Sequence, residues 1–272
     1  MANDATLLRP AAPALPSALA RHARNPWLLA GLALLALLTF WRATDTTPIA
    51  VALLWTWLPS LLRGLWVNIE ISVLAVALGT AVGLVIGTLL LSPSAIVRRV
   101  ARVYVQAFRN APVLVLIYFT TYVFPFEVHI VQWSFPFPDW LKVVLGLALP
   151  TSANVAEIFR GAIQSIPSAQ WEAAQSLAFK RSEIFRLIVL PQCLRRMLPP
   201  WMNLYASITM STSLASLVGV HDVVDMAQIA SNTVVRTDFT ILVYFTLLAL
   251  FFAYCYPIAR ATRALERRHE RH

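Results

Sequence analysis

Six stretches of this chain are almost continuously apolar, at about 25–41, 62–91, 103–125, 139–159, 200–218 and 238–258. Each approaches or exceeds the roughly 20 residues that a helix needs to cross a bilayer. The connections between them are short and polar, so the pattern predicts an all-α polytopic membrane protein with six spans. Residues 49–60 are apolar too, but short, and Trp55, Trp57 and Pro59 suit a segment lying at the membrane interface. The connection "FEVHIVQWSFPFPDW" (126–140) is aromatic and Pro-rich, as expected of a surface loop anchored at the interface. One region departs from the pattern: Gln170 to Gln192 mixes Glu, Gln, Ser, Lys and Arg at helical spacing and closes on Leu190-Pro191.

These boundaries divide the chain into a Pro/Ala-rich tail (1–26), an N-terminal helix with its interfacial segment (27–60), a main membrane domain (61–260) and a basic tail (261–272). The first apolar run reads as an uncleaved helix rather than a signal peptide: its basic leader is long, and no small-x-small site precedes Trp41-Arg42. In the second run Gly79, Gly83 and Gly87 recur every four residues, a small-residue stripe that lets helices approach closely, within the chain or between chains. Pro112 sits near the start of the third apolar run. Pro150 is expected to break the fourth.

Composition strengthens this picture: 58% of the 272 residues are hydrophobic and 13% charged, about half the charge of a soluble domain. The net charge of +9 could suggest nucleic acid, but its placement argues against that. All of the 22 Lys and Arg except Arg42, Arg63, Lys142 and Arg236 fall in the two tails, in alternate connections or, for Arg109, just beyond one. This is the positive-inside pattern; it sets orientation and puts both termini in the cytoplasm of a bacterial inner membrane. Cys193 and Cys255 then lie near the reducing side and form no disulfide or metal framework.

Several chemistries are excluded. Neither lysine, Lys142 or Lys180, follows a glycine, so the chain has no phosphate-binding Gly-Lys loop and does not bind ATP by that route. The five histidines show no metal-ligand spacing, and no Gly-x-Ser-x-Gly elbow occurs. No metal, no cofactor and no intramembrane catalytic pair is expected.

In the polar region Ser168 is placed to cap a helix and Glu172 to sit in its first turn, where the dipole favours a carboxylate. Ala169, Ala173 and Leu177, with Ala174 and Ala178, give a flat face of small residues. Such a face suits close docking into a protein groove; the plain alternative is an amphipathic loop helix lying on the membrane.

The residue order bears on that choice. "EIFRGAIQSIPSAQWEAAQSLAFKRSEIFRLIVLPQ" (157–192) closely resembles the EAA-loop region of ABC importer permeases, in particular the branch that imports polar amino acids and opines. The similarity extends to "GLWVNIEISVLAVALGTAVGLVIG" (64–87), "YVQAFRNAPVLVLIYF" (104–119) and "STSLASLVGVHDVVDMAQ" (211–228), so it covers about 64–268. The resemblance implies a membrane-spanning subunit, itself not an enzyme, that moves a polar amino acid or an opine by alternating access. It implies as partners a separate ATPase dimer, a substrate-binding protein outside the membrane and a second permease, identical or similar. By position, Glu172, Ala173, Ala174, Leu177 and Ala178 would form the helix that couples to the ATPase. Two departures stand out: the family glycines before Gln170 and after Leu177 are Ala169 and Ala178. Where many relatives carry Lys-Asp before Thr-Ser-Leu, this chain has Met210-Ser211 before Thr212-Ser213-Leu214.

Polar groups in apolar spans usually face a bundle interior or a cavity. Asn154 and Glu157 follow Pro150, while Asn203, Ser207 and Ser211 share one face of the fifth run and Thr212 and Ser213 lie on another. These residues are the candidate substrate path. Two plainer roles compete: Ser and Thr hydroxyls bonding to their own helix, and a Glu157–Arg160 pair.

Overall fold

The computed structural model describes residues 47–130 and 133–269. The chain divides into two compact units, Met1–Ala52 and Leu53–His272, and the second holds all the packing between elements that positions the site. The expected tail at 1–26 and first span at 25–41 lie outside the described residues.

Helix α1 runs Thr47–Leu90 without interruption, so the expected interfacial segment at 49–60 and the second span are one helix, with Pro59 inside it. The third apolar run is two helices, α2 (Ala95–Asn110) and α3 (Val113–Val123), bent by 104° at their junction. The cause is Pro112, which disfavours helical geometry at the residue before it; Ala111 is extended, at φ −75° and ψ 136°. Where a surface loop was expected, β1 (Glu127–Ile130) and β2 (Trp133–Pro136) form an antiparallel hairpin.

Pro150 does not break the fourth span. Helix α4 runs Asp139–Gln164 straight through it, about 39 Å at 1.5 Å per residue and enough to cross a bilayer. A proline leaves the carbonyl four residues back without its partner. Around Pro150 three side chains bond back to their own helix: Thr151 donates to the Leu147 carbonyl (2.6 Å), Ser152 to that of Leu149 (2.7 Å) and Asn154 to that of Pro150 (2.8 Å). At the start of α4 the buried Lys142 donates to Asp139 (2.9 Å) and lies 3.9 Å over the Phe126 ring.

After α5 (Ser168–Ser176) and the single turn α6 (Arg181–Glu183), a π-helical turn, Ile184–Val189, leads into α7 (Leu190–Ser211). Leu190-Pro191 therefore does not end a helix. The wide turn, in which Leu190 N–H reaches the Phe185 carbonyl, takes up the proline ring that an unbroken α-helix would push against a carbonyl. The expected fifth span is the second half of α7 plus a 3₁₀ segment, Thr212–Val218, ended by Gly219 at φ +85°. Helix α8 (Val223–Val234) was not anticipated. Helix α9 (Thr237–His269) carries the sixth span into the residues expected as a basic tail. Among the described residues three helices are long and apolar enough to cross a membrane, Ile49–Leu90, Asp139–Gln164 and Thr237–Leu265, and the bent pair α2–α3 makes a fourth if counted as one span.

Helix α4 is the hub. The glycine stripe of α1 lies against it: a Cβ at Gly79 would sit 2.5 Å from Thr151, one at Gly83 2.6 Å from the Ser152 carbonyl oxygen, and one at Gly87 2.7 Å from Phe159. The stripe thus serves packing within the chain. Around it Ile71, Ala75 and Val76 of α1 meet Ile117 of α3, Val143, Val144 and Leu147 of α4 and Ile208 of α7 in the main core. Helix α9 contributes little to that core and turns Leu248 and Phe252 outward, as expected of a lipid-facing helix.

Candidate functional site

Helix α5 sits where α4 ends and the α6–α7 rod begins. Its N-cap is Pro167, at φ −57° and ψ 139°, without a side-chain cap. Ser168 is therefore the first helical residue, and Glu172 lies beyond the first turn. The small-residue face divides in two. Ala174 is 3% exposed and, with the half-buried Trp171, packs into a cluster of Phe159, Ala162, Ile166, Ile184, Val189, Cys193 and Met197. Ala169, Glu172 and Ala173 point outward, and Leu177 stands 73% exposed. Two side-chain ties fix the helix on the rod: Gln192 donates to Gln170 (2.7 Å), and Arg196 donates to the Ser165 carbonyl and hydroxyl oxygens (2.7 and 2.8 Å).

The end of α5 accounts for one departure noted in the sequence. Ala178 is left-handed, at φ +60°. Its N–H reaches the Gln175 carbonyl (2.9 Å) while Phe179 N–H reaches that of Ala174 (3.2 Å), the paired bonds of a Schellman cap whose αL position favours glycine. A left-handed alanine costs about 1–2 kcal/mol, and glycine returns roughly 0.5–1 kcal/mol of that as unfolded-chain entropy. Ala178→Gly is therefore expected to stabilise the cap by about 0.5–1 kcal/mol, read as slower hydrogen exchange over residues 177–180.

The substrate-path candidates fall in three places. Asn203, Ser207, Ser211 and Ser213 line one open groove of about 540 Å³ with Ala206, Met210 and Leu214. There Ser211 donates to the Ser207 carbonyl (3.0 Å) and Ser213 to that of Met210 (2.8 Å), so both hydroxyl protons are committed and both oxygens remain acceptors. Thr212 is elsewhere, fully buried. Asn154 and Glu157 lie on α4: Asn154 bonds its own helix, and Glu157 takes a two-point contact from Arg160, with Arg109 at 4.0 Å. The structure does not bring these two together with the groove.

A family model described as "Binding-protein-dependent transport system inner membrane component" matches residues 79–271. The chain belongs to that family. This permease is 33% identical over 222 residues to the octopine transport system permease protein OccM of Rhizobium radiobacter, covering 80% of this chain and 89% of OccM. It is 30% identical over 212 residues to the probable amino-acid ABC transporter permease protein YckA of Bacillus subtilis, covering 78% and 89% of the two chains. Among solved structures it resembles the crystal structure of an amino acid ABC transporter with histidines, at a TM-score of 0.67 and 26% identity, over 78% of this chain and 95% of that one.

One polar node of the permease was missed in the sequence. Asn68 of α1 donates to Thr212 and to Asp222 (both 3.0 Å) and accepts from Val223 N–H (3.0 Å), while Asp222 caps α8 through Asp225 N–H (2.9 Å). Asn68, Thr212 and Asp222 are all buried. Gly64 makes room for the node, since a Cβ there would lie 2.7 Å from the Asp222 backbone. Burial pushes the Asp222 carboxyl up to about 6 despite these donors. The lone Asn in the apolar "LWVNIEIS" was the available signal.

Proposed function

We propose that this permease couples ATP hydrolysis on a separate subunit to import of a polar amino acid, and that α5 is the helix the ATPase grips. The observation that carries the reading is the division of α5: Ala174 and Trp171 hold it to α4 and α7, while Ala169, Glu172, Ala173 and Leu177 stay free on one outward face. A helix serving only to close a loop or lie on lipid has no need of a flat alanine face tied rigidly to two long helices. The chain has no nucleotide-binding loop of its own, so the ATPase is a partner, here an ATPase dimer beneath a pair of permeases. A binding protein on the outer face would deliver the solute, in keeping with the family description. The arginine pattern puts α5 and both termini on the cytoplasmic side of the inner membrane.

The groove on α7 is the solute path of this reading. Asn203 supplies amide N–H donors for a carboxylate, while Ser211 and Ser213 offer oxygens to an ammonium. The likeness to an octopine permease keeps opines as the second class, which present the same two groups. The test is uptake of labelled amino acids and opines into vesicles holding the permease, its ATPase and its binding protein. Amino-acid uptake is expected, with Asn203→Leu and Ser211→Leu lowering it at least about tenfold, the worth of one lost charge-assisted hydrogen bond. Opine uptake alone would move the reading to the second class. Undiminished uptake in both variants would remove the groove from the path.

A further inference from the structure

Helix α2 divides lengthwise into three sectors. Ala101 and Val105 face the protein, packing with Leu90 and Ala156. Beside them lies an apolar stripe open to the surroundings, with Ile96 77%, Val100 65% and Val103 61% exposed. The third sector carries Arg98, Arg99, Arg102 and Arg109. Arg109 approaches Glu157 and Arg98 gives one N–H to the Ser92 carbonyl (2.8 Å), but Arg99 and Arg102 project outward. The sequence offers no local compensation, since no Asp or Glu occurs between Glu70 and Glu127.

Direction adds a second observation. Helix α3 packs along α4, which is long enough to span a bilayer, and α2 turns from α3 by 104°. The turn sets α2 roughly at right angles to α3. An exposed apolar stripe next to an arginine stripe on such a helix matches an interface whose headgroups are anionic.

We propose that α2 selects anionic phospholipid through Arg98, Arg99 and Arg102, with Ile96, Val100 and Val103 among the acyl chains. The proposal rests on α2 lying at the membrane surface and not on the solute carried. Native mass spectrometry of the full-length permease, released from micelles holding equal phosphatidylglycerol and phosphatidylcholine, reads it without ATPase or solute. The wild type is expected to retain phosphatidylglycerol preferentially. Each surface arginine contributes roughly fivefold, so R98Q/R99Q/R102Q is expected to cut the preference at least about tenfold. The matching triple lysine variant, which keeps the charges, is expected to retain most of it. An unchanged preference in the glutamine variant overturns the proposal. So does equal retention of the two lipids by the wild type.

Discussion

Asp222→Ala is expected to lower the stability of the detergent-solubilised permease by about 2–4 kcal/mol, the combined worth of a lost N-cap and a buried donor left without a partner. The substitution removes the oxygens that receive Asn68 and Asp225 N–H, at the point where α1, the 3₁₀ segment and α8 converge. Asn68→Leu is expected to cost about 2–4 kcal/mol, because it leaves the buried Asp222 carboxyl without its amide donor and Val223 N–H without its acceptor. The two residues share one network, so the double variant should cost less than the sum of the single ones. Thermal unfolding followed by tryptophan fluorescence reads all three.

The same carboxyl gives a pH dependence with a definite sign. Its folded value of about 6 lies above the ordinary range, so the folded protein holds this proton more tightly than the unfolded chain. The stabilising contribution is complete below about pH 4 and is lost as pH rises through about 6, up to about 3 kcal/mol in all. Asp222→Asn removes the titration. The stability difference between wild type and Asp222→Asn should therefore shift in favour of the variant between about pH 4 and 6.5. A difference that stays flat over that window would show that the carboxyl titrates normally.

Leu177→Glu carries the second large effect. Leu177 is the most exposed apolar side chain at the outward end of α5, and it makes no contribution to the cluster that holds the helix in place. If the ATPase closes over this face, a carboxylate there is desolvated without a partner, an interface hot-spot loss of at least about 2 kcal/mol, or roughly thirtyfold in association. Uptake is expected to fall by at least that factor while the unfolding temperature of the isolated permease stays within about a degree, as for a surface substitution away from the core. Ala174→Glu forms the contrast. It forces a charge into the Phe159–Ile184–Met197 cluster and should lower stability itself. Loss of uptake with intact stability belongs to the outward face alone.

Most of the fold was legible in the hydrophobic runs, because helix length and apolarity are what a bilayer demands of any sequence. The misreadings cluster where local chemistry modifies that demand. Pro150 reads as a helix breaker, yet α4 continues through it where α1 packs closely against Ala148, Thr151 and Ser152, a contact visible only once the backbone is known. Pro112 turns the chain sharply because Ala111 before it leaves the helical region. Asn154 commits its amide to the Pro150 carbonyl, a demand on its side chain that no periodicity announces. The outward residues of α5 were readable, but the inward turn of Ala174 was not, since an alanine fits either face. Ala178, which stands where the family pattern has glycine, lies in the left-handed region that glycine favours. The Asn68–Asp222 pair, 154 residues apart, depends on how α1 and α8 meet, which no local pattern encodes.

Site-directed cross-linking tests the coupling reading most directly. In a permease with Cys193 and Cys255 replaced by serine, single cysteines at Ala169, Ala173, Leu177 and Ala174 are treated with a short bifunctional thiol reagent in the assembled complex. The account predicts bonds to the ATPase from the three outward positions, strengthened or weakened by ATP, and none from Ala174. Equal cross-linking from both faces, or none from the outward one, would contradict it.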